Sequence, residues 1–203
     1  MIDSPTLRAA PAPRVGVRRP VLRRPGLRRE LLNSIFFILA ALIFSELAMP
    51  RSSIDGPSMQ PTLFAGQHLL ISRVNYLLGD PQRGDIAVFD PPNEAKEMLI
   101  KRVIGVPGDT IELRRKKVTV EGQERNDADL YINGVLTEEP YFINRPCANC
   151  NGTWTLGPDE YFMMGDNRNQ SNDSRAFGVI TRDRIVGKAI WRHWPLDKFG
   201  PLY

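Results

Sequence analysis

The residue types that could carry chemistry are one serine and one lysine, each among constrained neighbours. Ser58 follows Gly56 and Pro57 and precedes Pro61, so glycine and proline restrict the backbone on both sides of it. A serine held in this way can present its hydroxyl as a nucleophile and its own backbone N–H to the carbonyl under attack. Ser58 is therefore a candidate nucleophile, with an ordinary turn serine as the alternative interpretation.

Lys101 lies within the apolar run Met98–Ile104, whose alternation places Leu99, Lys101 and Val103 on one face of a predicted strand. Burial disfavours the charged form of an amine and lowers its pKa, and a neutral lysine can accept a proton from a serine hydroxyl. The alternative is that Lys101 or the neighbouring Arg102 extends to water from an edge strand. The alternation does not decide which face is buried, but only lysine can act as a base.

A third polar cluster is the segment Met164–Gly178, where carboxylate, amide, hydroxyl and guanidinium side chains follow one another between two apolar runs. Such side chains can hold a catalytic group in position, although a solvated loop has the same composition. A calcium loop is excluded because Arg168, Ser171 and Phe177 occupy EF-hand positions that require an oxygen ligand, glycine and glutamate.

Cofactor motifs are absent from the sequence. It contains no phosphate-binding loop, no dinucleotide-binding glycine motif and no H-E-x-x-H zinc motif. We therefore predict that no metal, nucleotide or redox cofactor is required.

Cys147 and Cys150 form a C-x-x-C pair without the second pair that tetrahedral zinc needs. A structural disulfide is favoured over a redox site, because the surrounding residues predict a turn rather than a helix.

Positive charge is concentrated at the N-terminus of this 203-residue chain, whose formal net charge is +4. Residues 1–29 contain eight arginines and one acid, Asp3, so the rest of the chain has a small net negative charge. A folded body without excess positive charge binds nucleic acid poorly, and we predict no nucleic-acid partner. The composition, with 42% hydrophobic and 25% charged residues, is typical of a globular protein.

Residues 1–30 are interrupted by prolines and are predicted to form a basic tail, whereas residues 31–49 are almost uniformly apolar. As a helix, the apolar segment spans roughly 28 Å, close to the roughly 30 Å of a bilayer's hydrocarbon core. We interpret it as an uncleaved membrane anchor. A buried helix is disfavoured because the segment is apolar all round and follows eight arginines, and a cleavable signal peptide is disfavoured because Glu46 disrupts the cleavage pattern before Ala48. The positive-inside rule then places the tail in the cytoplasm and residues 51–203 outside.

The chain after the anchor is predicted to be mainly β. Short runs rich in β-branched and aromatic residues alternate with turn residues, and Asn133–Gly134 is a strong hairpin signal. We predict an antiparallel β-sheet catalytic domain from residues 51–107 and 159–203, with a smaller β-rich insert at residues 108–158. Apart from the anchor, helix is expected only as a short turn near Pro61–Phe64.

Four short motifs occur in order along the chain: Gly56–Leu63 with the serine, Arg83–Phe89, Lys101–Asp109 with the lysine, and Gly165–Arg175. Together, behind an N-terminal anchor, they resemble the motifs of bacterial type I signal (leader) peptidases, which are serine endopeptidases with a Ser/Lys dyad. The resemblance extends over the anchor and nearly all of residues 51–195. It implies a hydrolase that removes N-terminal signal peptides from secretory preproteins by cutting after small residues, through an acyl-enzyme.

The resemblance also implies roles for individual residues, with Ser58 as the nucleophile and Lys101 as the general base. The residues implied to support the base are Ser171, Asp173, Arg175 and Asp166. Among them, Ser171 is expected to hydrogen-bond the lysine amine, and Asp173 and Arg175 are expected to form an ion pair. The residues implied to form the oxyanion hole or the shallow substrate pockets are Gly56, Met59, Ile54, Leu63, Leu99 and Ile100.

One departure from part of this family concerns the oxyanion hole. Some members carry a serine at the position of Gly56, and its absence here leaves the backbone N–H of Ser58 as the chief expected donor. The precursor is expected to add to a sheet edge as an extended strand.

The implied partners are secretory preproteins and membrane lipid, with transient contact with the secretion machinery. The expected location is the plasma (inner) membrane, with a single span.

Two other functions fit part of the sequence. A Ser/Lys autoprotease joined to a DNA-binding domain would need a helix-turn-helix where residues 31–49 are apolar. An anchored β-domain that only binds a partner would use neither Ser58 nor Lys101 for catalysis.

Overall fold

The structure, a computed structural model, describes residues 26–48, 50–92, 97–120, 122–141, 147 and 150–202. Contacts divide the chain into two units, Met1–Ala40 and Ala41–Tyr203. The strands, in chain order, are β1 (Arg51–Ser53), β2 (His68–Ser72), β3 (Ile86–Phe89), β4 (Leu99–Gly105), β5 (Thr110–Val120), β6 (Gln123–Ile132), β7 (Val135–Leu136), β8 (Gly152–Thr155), β9 (Glu160–Met164), β10 (Ile180–Thr181), β11 (Ile185–Trp194) and β12 (Gly200–Pro201). The α-helices are α1 (Leu27–Ala48), α2 (Val74–Leu78) and α3 (Ser174–Phe177).

The larger sheet of the described chain is antiparallel and contains eight strands. Its path is β1-β2-β11-β3-β4-β9-β10, and β12 pairs with β11. The strand that carries Lys101, β4, therefore lies between two neighbours. β3 pairs with the segment Leu99–Arg102, whereas the β9 ladder begins only at Arg102. Among the described strands, Leu99–Lys101 thus has a partner on one side only.

A second antiparallel sheet, which we call the insert sheet, contains four described strands in the order β7-β6-β5-β8. β5 and β6 form a long ladder along almost the whole of β5. The basic cluster Arg114–Lys117, which the sequence pattern places between two shorter strands, lies within β5. The strand continues because these basic side chains pair with acids of the same sheet, Lys116 with Asp129 and Lys117 with Glu124.

Buried apolar clusters hold the strands of both sheets. One cluster joins the larger sheet to the insert sheet and includes Ile104 of β4 and Ile111 of β5. Alternation along β3 places Val88 in a second cluster and the next residue, Phe89, in a third. Strand β3 is therefore packed on both faces, and it supports β4 beside it.

Lys101 and Arg102 are both buried, with exposures of 3% and 1%. The alternative in which one of them extends to water from an edge strand is therefore wrong. The reason is that buried clusters cover both faces of β4, with Val103 in one cluster and Ile100 packed against another, although Leu99–Lys101 has a strand partner on one side only. Two adjacent cations are thus removed from water, and each needs its own polar partners.

The short helices differ from the sequence expectation. Pro61–Phe64 is a hydrogen-bonded turn rather than a helix, with the backbone N–H of Leu63 donating to Met59 O at 2.9 Å. Helix α2 was not expected, because five residues are too few to show helical periodicity. Helix α3 begins at a cap, where the Asp173 side chain accepts from the backbone N–H of Arg175.

The helix α1 includes most of the predicted anchor, residues 31–49. Its large apolar side chains are exposed around the helix, and Leu32, Phe37 and Phe44 are 66%, 69% and 67% exposed. No helix within the described residues meets the length and hydropathy expected of a membrane span. Residues 1–25 of the predicted basic tail lie outside the described residues.

Candidate functional site

Strand β4 and the turn that follows β1 bring the candidate base and nucleophile into contact. Lys101 Nζ donates one hydrogen bond to Ser58 Oγ at 2.8 Å and another to the backbone carbonyl of Ile100 at 2.9 Å. Ser58 is only half-buried, so a substrate can reach its hydroxyl. The two residues singled out from the sequence are therefore within the reach that proton transfer from a serine hydroxyl requires.

Burial sets the acid–base behaviour of the amine. Desolvation lowers the pKa of Lys101 from its ordinary value to about 8, and the carboxylates of Asp173 and Asp166 oppose part of this effect by favouring the charged form. With a pKa of about 8, roughly a tenth of the amine is neutral at pH 7, far more than in an ordinary exposed lysine. The amine is therefore available as a proton acceptor near neutral pH.

Asp166 lies in an ion pair with Arg102, the residue after the candidate base. Arg102 Nε donates to Asp166 Oδ1 at 2.9 Å and Nη2 donates to Oδ2 at 2.8 Å, with side-chain exposures of 1% and 0%. Thr62 Oγ1 donates to Asp166 Oδ2 at 2.5 Å. These bonds satisfy a buried carboxylate, so Asp166 acts on Lys101 only through its charge.

Asp173 and Arg175 form a second bidentate ion pair. Arg175 Nε donates to Asp173 Oδ1 at 2.8 Å and Nη2 donates to Oδ2 at 2.7 Å. Asp173 also accepts from the backbone N–H of Gly165 at 3.0 Å, which joins the pair to the residue after β9. Asp173, the carboxylate with the larger electrostatic effect on Lys101, is thus held by both a guanidinium and the backbone.

The structure corrects the expectation for Ser171, because its hydroxyl does not hydrogen-bond the amine of Lys101. Ser171 Oγ is buried and has no hydrogen-bond partner among the described residues, since the amine donates to Ser58 and Ile100 instead. The hydroxyl packs against Gly165, where an added Cβ would lie 2.3 Å from Ser171 Oγ and 2.5 Å from Ser58 O. Only glycine permits this close approach.

Asn167 was not singled out from the sequence, although it lies within one of the four motifs. Its backbone N–H donates to Ser58 O at 3.0 Å and its Nδ2 donates to Pro57 O at 3.2 Å. Since Asn167 is also buried, these bonds fix the turn that carries Ser58 against the polar loop. The loop between β9 and α3 therefore positions the nucleophile as well as the groups around the base.

The backbone at Gly56 explains why glycine suits the position two residues before Ser58. Gly56 has φ +84°, a conformation that residues with a Cβ rarely adopt. An added Cβ would meet nothing within 4 Å, so backbone conformation rather than space sets the limit. A serine hydroxyl at this position would require a strained backbone.

An open groove of about 570 Å³ passes over Ser58 and Lys101. Strand β1 contributes its wall residues Ser52 and Ser53, and the partly unpaired start of β4 contributes Leu99 and Ile100. Gly56 also lines the groove, as the resemblance implies. The groove thus has a strand on each of two sides, the arrangement that accommodates an extended peptide.

The structure corrects the expectation that Ile54, Met59 and Leu63 line substrate pockets. Their exposures are 3%, 1% and 0%, and all three lie in one buried cluster with residues of β2 and β3. None of the three belongs to the lining of the groove. Their function in this fold is to hold the Ser58 turn on the sheet, because apolar side chains on both sides of Ser58 are buried beneath it.

Cys147 and Cys150 form a disulfide in the structure, and both are buried in the cluster between the two sheets. Arg175 Nη1 lies 3.1 Å from each of the two sulfur atoms. Among the residues that the structure describes, no three His, Cys, Asp or Glu side chains are grouped as metal ligands.

Sequence reasoning missed a buried ion pair between Glu139 and Arg168, whose side chains are 5% and 4% exposed. Arg168 Nε donates to Gly165 O at 3.0 Å, so the pair reaches the same loop as Asp173. Arg168 lies in a quoted motif, but nothing in the sequence around Glu139 indicates this contact. Only the tertiary fold brings the chain after β7 against the loop.

Most of the chain is similar to proteins of one known family. Residues 28–194 match the family described as signal peptidase, peptidase S26. A probable signal peptidase I-2 of Synechocystis sp. is 36% identical over 170 residues, which cover 81% of this chain and 72% of that protein. A signal peptidase I of Leptolyngbya laminosa is 31% identical over 98% of this chain and 95% of that protein. A signal peptidase IB of Staphylococcus aureus is 33% identical over 85% of this chain and 94% of that protein.

Proposed function

Because the chain belongs to the signal peptidase family, peptidase S26, and is a serine peptidase, we propose that it removes N-terminal signal peptides from secretory preproteins. The observation that carries the proposal is the 2.8 Å hydrogen bond from Lys101 Nζ to Ser58 Oγ at the edge of an open groove. In this proposal Ser58 is the nucleophile and Lys101 the general base.

The first chemical step forms an ester on the serine. Neutral Lys101 accepts the hydroxyl proton of Ser58 as Oγ attacks the scissile carbonyl. When the tetrahedral intermediate collapses, the C–N bond breaks and the lysine returns the proton to the leaving amine of the mature protein. The signal peptide remains attached to Ser58 as an acyl-enzyme.

The second step releases the signal peptide. A water molecule transfers a proton to Lys101 and attacks the ester, and the proton then passes to Ser58 Oγ as the ester bond breaks. In both steps the negative oxygen of the intermediate is stabilised by backbone donors, chiefly the N–H of Ser58. Asp166 and Asp173, each paired with an arginine, stabilise the positively charged amine that forms when Lys101 accepts a proton.

The precursor binds as an extended strand between β1 and the start of β4. Leu99–Lys101 pairs with β3 on one side only among the described strands, so its other side can accept a peptide. The apolar contribution to the groove comes from side chains such as Val88, Leu99 and Ile100. A groove of this kind admits small side chains beside the cut and excludes large ones by contact.

The proposal includes a membrane anchor at residues 31–49, with residues 1–30 as a cytoplasmic tail. Support comes from the apolar composition of this segment and the exposure of its side chains around α1. Residues 51–107 and 159–203 form the catalytic core and residues 108–158 form the insert, all on the outer face of the plasma (inner) membrane. Membrane lipid and, transiently, the secretion machinery are the partners of this arrangement.

Cleavage of a preprotein by the full-length chain in detergent micelles tests the function. We expect the wild-type protein to cut after small residues and Ser58→Ala to lose at least about a thousandfold in kcat/KM. Ser34→Ala is the matched control, because Ser34 lies on α1, where its hydroxyl donates to the backbone carbonyl of Glu30. Undiminished cleavage by folded Ser58→Ala would contradict the proposal. If the wild-type protein bound the preprotein without cutting it, the alternative of an anchored β-domain that only binds a partner would be favoured.

The anchor has a separate test in spheroplasts. We expect the protein to resist extraction from membranes by alkaline carbonate. External protease should digest residues 51–203 but spare a tag placed before residue 30. Release of the intact chain by carbonate, or protection of the catalytic core, would contradict the proposed topology without affecting the catalytic proposal.

A further inference from the structure

The Cys147–Cys150 disulfide contacts Arg175 beside the site. A purely structural role of the disulfide does not explain this contact. Arg175 Nη1 lies 3.1 Å from the sulfur of Cys147 and 3.1 Å from that of Cys150. Because sulfur is only a weak hydrogen-bond acceptor, the disulfide acts on the guanidinium mainly as a surface against which Nη1 is packed. The contact therefore restricts where Arg175 can lie.

The two sulfur atoms are firmly placed. Cys147 and Cys150 are each 1% exposed and belong to the apolar cluster shared by the larger sheet and the insert sheet. The backbone N–H of Cys147 donates to Asn126 O of β6 at 2.7 Å. The disulfide is therefore joined to the insert sheet through β6 and through the shared apolar cluster, and it lies against Arg175.

From Arg175 the contacts lead directly to the loop between β9 and α3. Nε and Nη2 bind both oxygens of Asp173, and Nη2 also donates to Arg168 O at 2.8 Å. Asp173 in turn accepts from the N–H of Gly165, whose Cα is packed against the Ser58 carbonyl. Within the described residues, the hydrogen bonds of the Arg175 guanidinium thus end on the disulfide or on the loop between β9 and α3.

We propose that the Cys147–Cys150 disulfide is a positioning element of the peptidase site, which holds Arg175 in the orientation that keeps Asp173 paired beside Lys101. The proposal rests on the proposed roles of Ser58 and Lys101. It assigns the insert sheet a function in catalysis, because the insert supplies the surface on which Arg175 is fixed.

A contribution to global stability alone is the weaker explanation of this disulfide. The two cysteines are separated by three positions in the sequence. A cross-link that closes so short a loop constrains the unfolded chain least. The buried guanidinium contact, by contrast, depends on both sulfur atoms being held together at one place.

Loss of the disulfide has an electrostatic consequence with a definite sign. When Arg175 is free to leave Asp173, the negative charge of Asp173 beside Lys101 is no longer offset. That charge favours the charged amine, so the pKa of Lys101 rises above its value of about 8. A purely structural disulfide would not move this titration in a protein that remains folded.

The test compares the wild-type chain with the double variant Cys147→Ser/Cys150→Ser, both full-length in detergent and well below their unfolding temperatures. We expect the acid limb of the kcat/KM profile to move upward by about half a pH unit and kcat to fall about tenfold, with KM little changed. Dithiothreitol, which donates two electrons and two protons and becomes a cyclic disulfide, should reproduce the shift in the wild-type chain. It should have no effect on the double variant.

Direct titration of the amine separates this inference from the proposed function. The pH dependence of Lys101 acylation by an amine reagent, read by mass spectrometry, requires no cleavage of any peptide. A wild-type chain that cleaves no preprotein would refute the proposed function, while the upward shift of the Lys101 titration in the double variant would still support the positioning role. If the titration and the pH profile coincide with those of the wild type, the positioning role is wrong, even if the unfolding temperature falls.

Discussion

Lys101 in the larger sheet and Lys116 in the insert sheet are both strand lysines close to aspartates, yet their acid–base behaviour is opposite. Lys101 is 3% exposed, and burial lowers its pKa to about 8. The side chain of Lys116 is 42% exposed, and its hydrogen bond to Asp129 raises its pKa. Both residues are lysines on β-strands, so the difference lies first in burial and then in whether a neighbouring carboxylate accepts directly from the amine.

The carboxylates near Lys101 are already engaged by arginines. Asp166 is bound to Arg102 and Asp173 to Arg175, so neither forms a hydrogen bond with the amine. Asp129, by contrast, accepts directly from the amine of Lys116. Two guanidinium groups thus allow a lysine to be buried among acids without being held in its charged form, because its hydrogen bonds go to neutral oxygens.

Among substitutions at these two lysines, replacing the buried Lys101 by arginine should cause the largest loss of activity. Arginine keeps the positive charge but cannot release a proton at accessible pH, so we expect Lys101→Arg to lose at least about a thousandfold in kcat. Preprotein cleavage measures the loss, with circular dichroism as the check on folding. The same exchange at Lys116 should leave cleavage within about twofold. Activity of folded Lys101→Arg within tenfold of the wild type would show that another group is the base.

The pH dependence of cleavage should show an effect of intermediate size. Catalysis needs the neutral amine, so kcat/KM should fall about tenfold for each pH unit below the Lys101 pKa of about 8 and level off above it. The sign follows from protonation, because lowering the pH adds a proton to the amine and removes the base. Initial rates between pH 6 and 9 give the profile. A flat profile over this range would mean that the titration of Lys101 does not control the rate.

The smallest effect is expected at an exposed pair of the insert sheet. Lys117 and Glu124 have side-chain exposures of 72% and 69%, and their ion pair is screened by water. Lys117→Met should change the free energy of unfolding by no more than about 0.5 kcal/mol and leave cleavage unchanged. Urea unfolding measures the first quantity. A loss above about 2 kcal/mol would mean that surface pairs hold the insert sheet together.

Local patterns in the sequence singled out Ser58 and Lys101 as candidates, and the order of the four motifs added their proposed roles; local patterns also predicted the mainly β fold. Glycine and proline around Ser58, and apolar neighbours around Lys101, are signals that act over a few residues. Strand alternation likewise predicts the faces of β4. These features could be predicted because the physical cause and the residue concerned lie close together in the chain.

Features that depend on distant parts of the chain were not predictable. Ile54, Met59 and Leu63 were expected in substrate pockets, but their side chains are buried in an apolar cluster with residues of β2 and β3, which are distant in the sequence. Glu139 meets Arg168 only because the insert sheet folds back on the loop. The continuity of β5 through its basic cluster required acids on the same sheet, whose register the sequence pattern does not reveal.

The ion pair of Arg102 and Asp166 has an evolutionary consequence. Replacing either residue alone leaves a buried charge without its partner, which costs about 3–5 kcal/mol, a large part of the stability of an average domain. A lineage can therefore abandon the pair only by a nearly simultaneous double change or after other substitutions have made the protein more stable. We expect that the two positions drift together among descendants of this chain, or not at all.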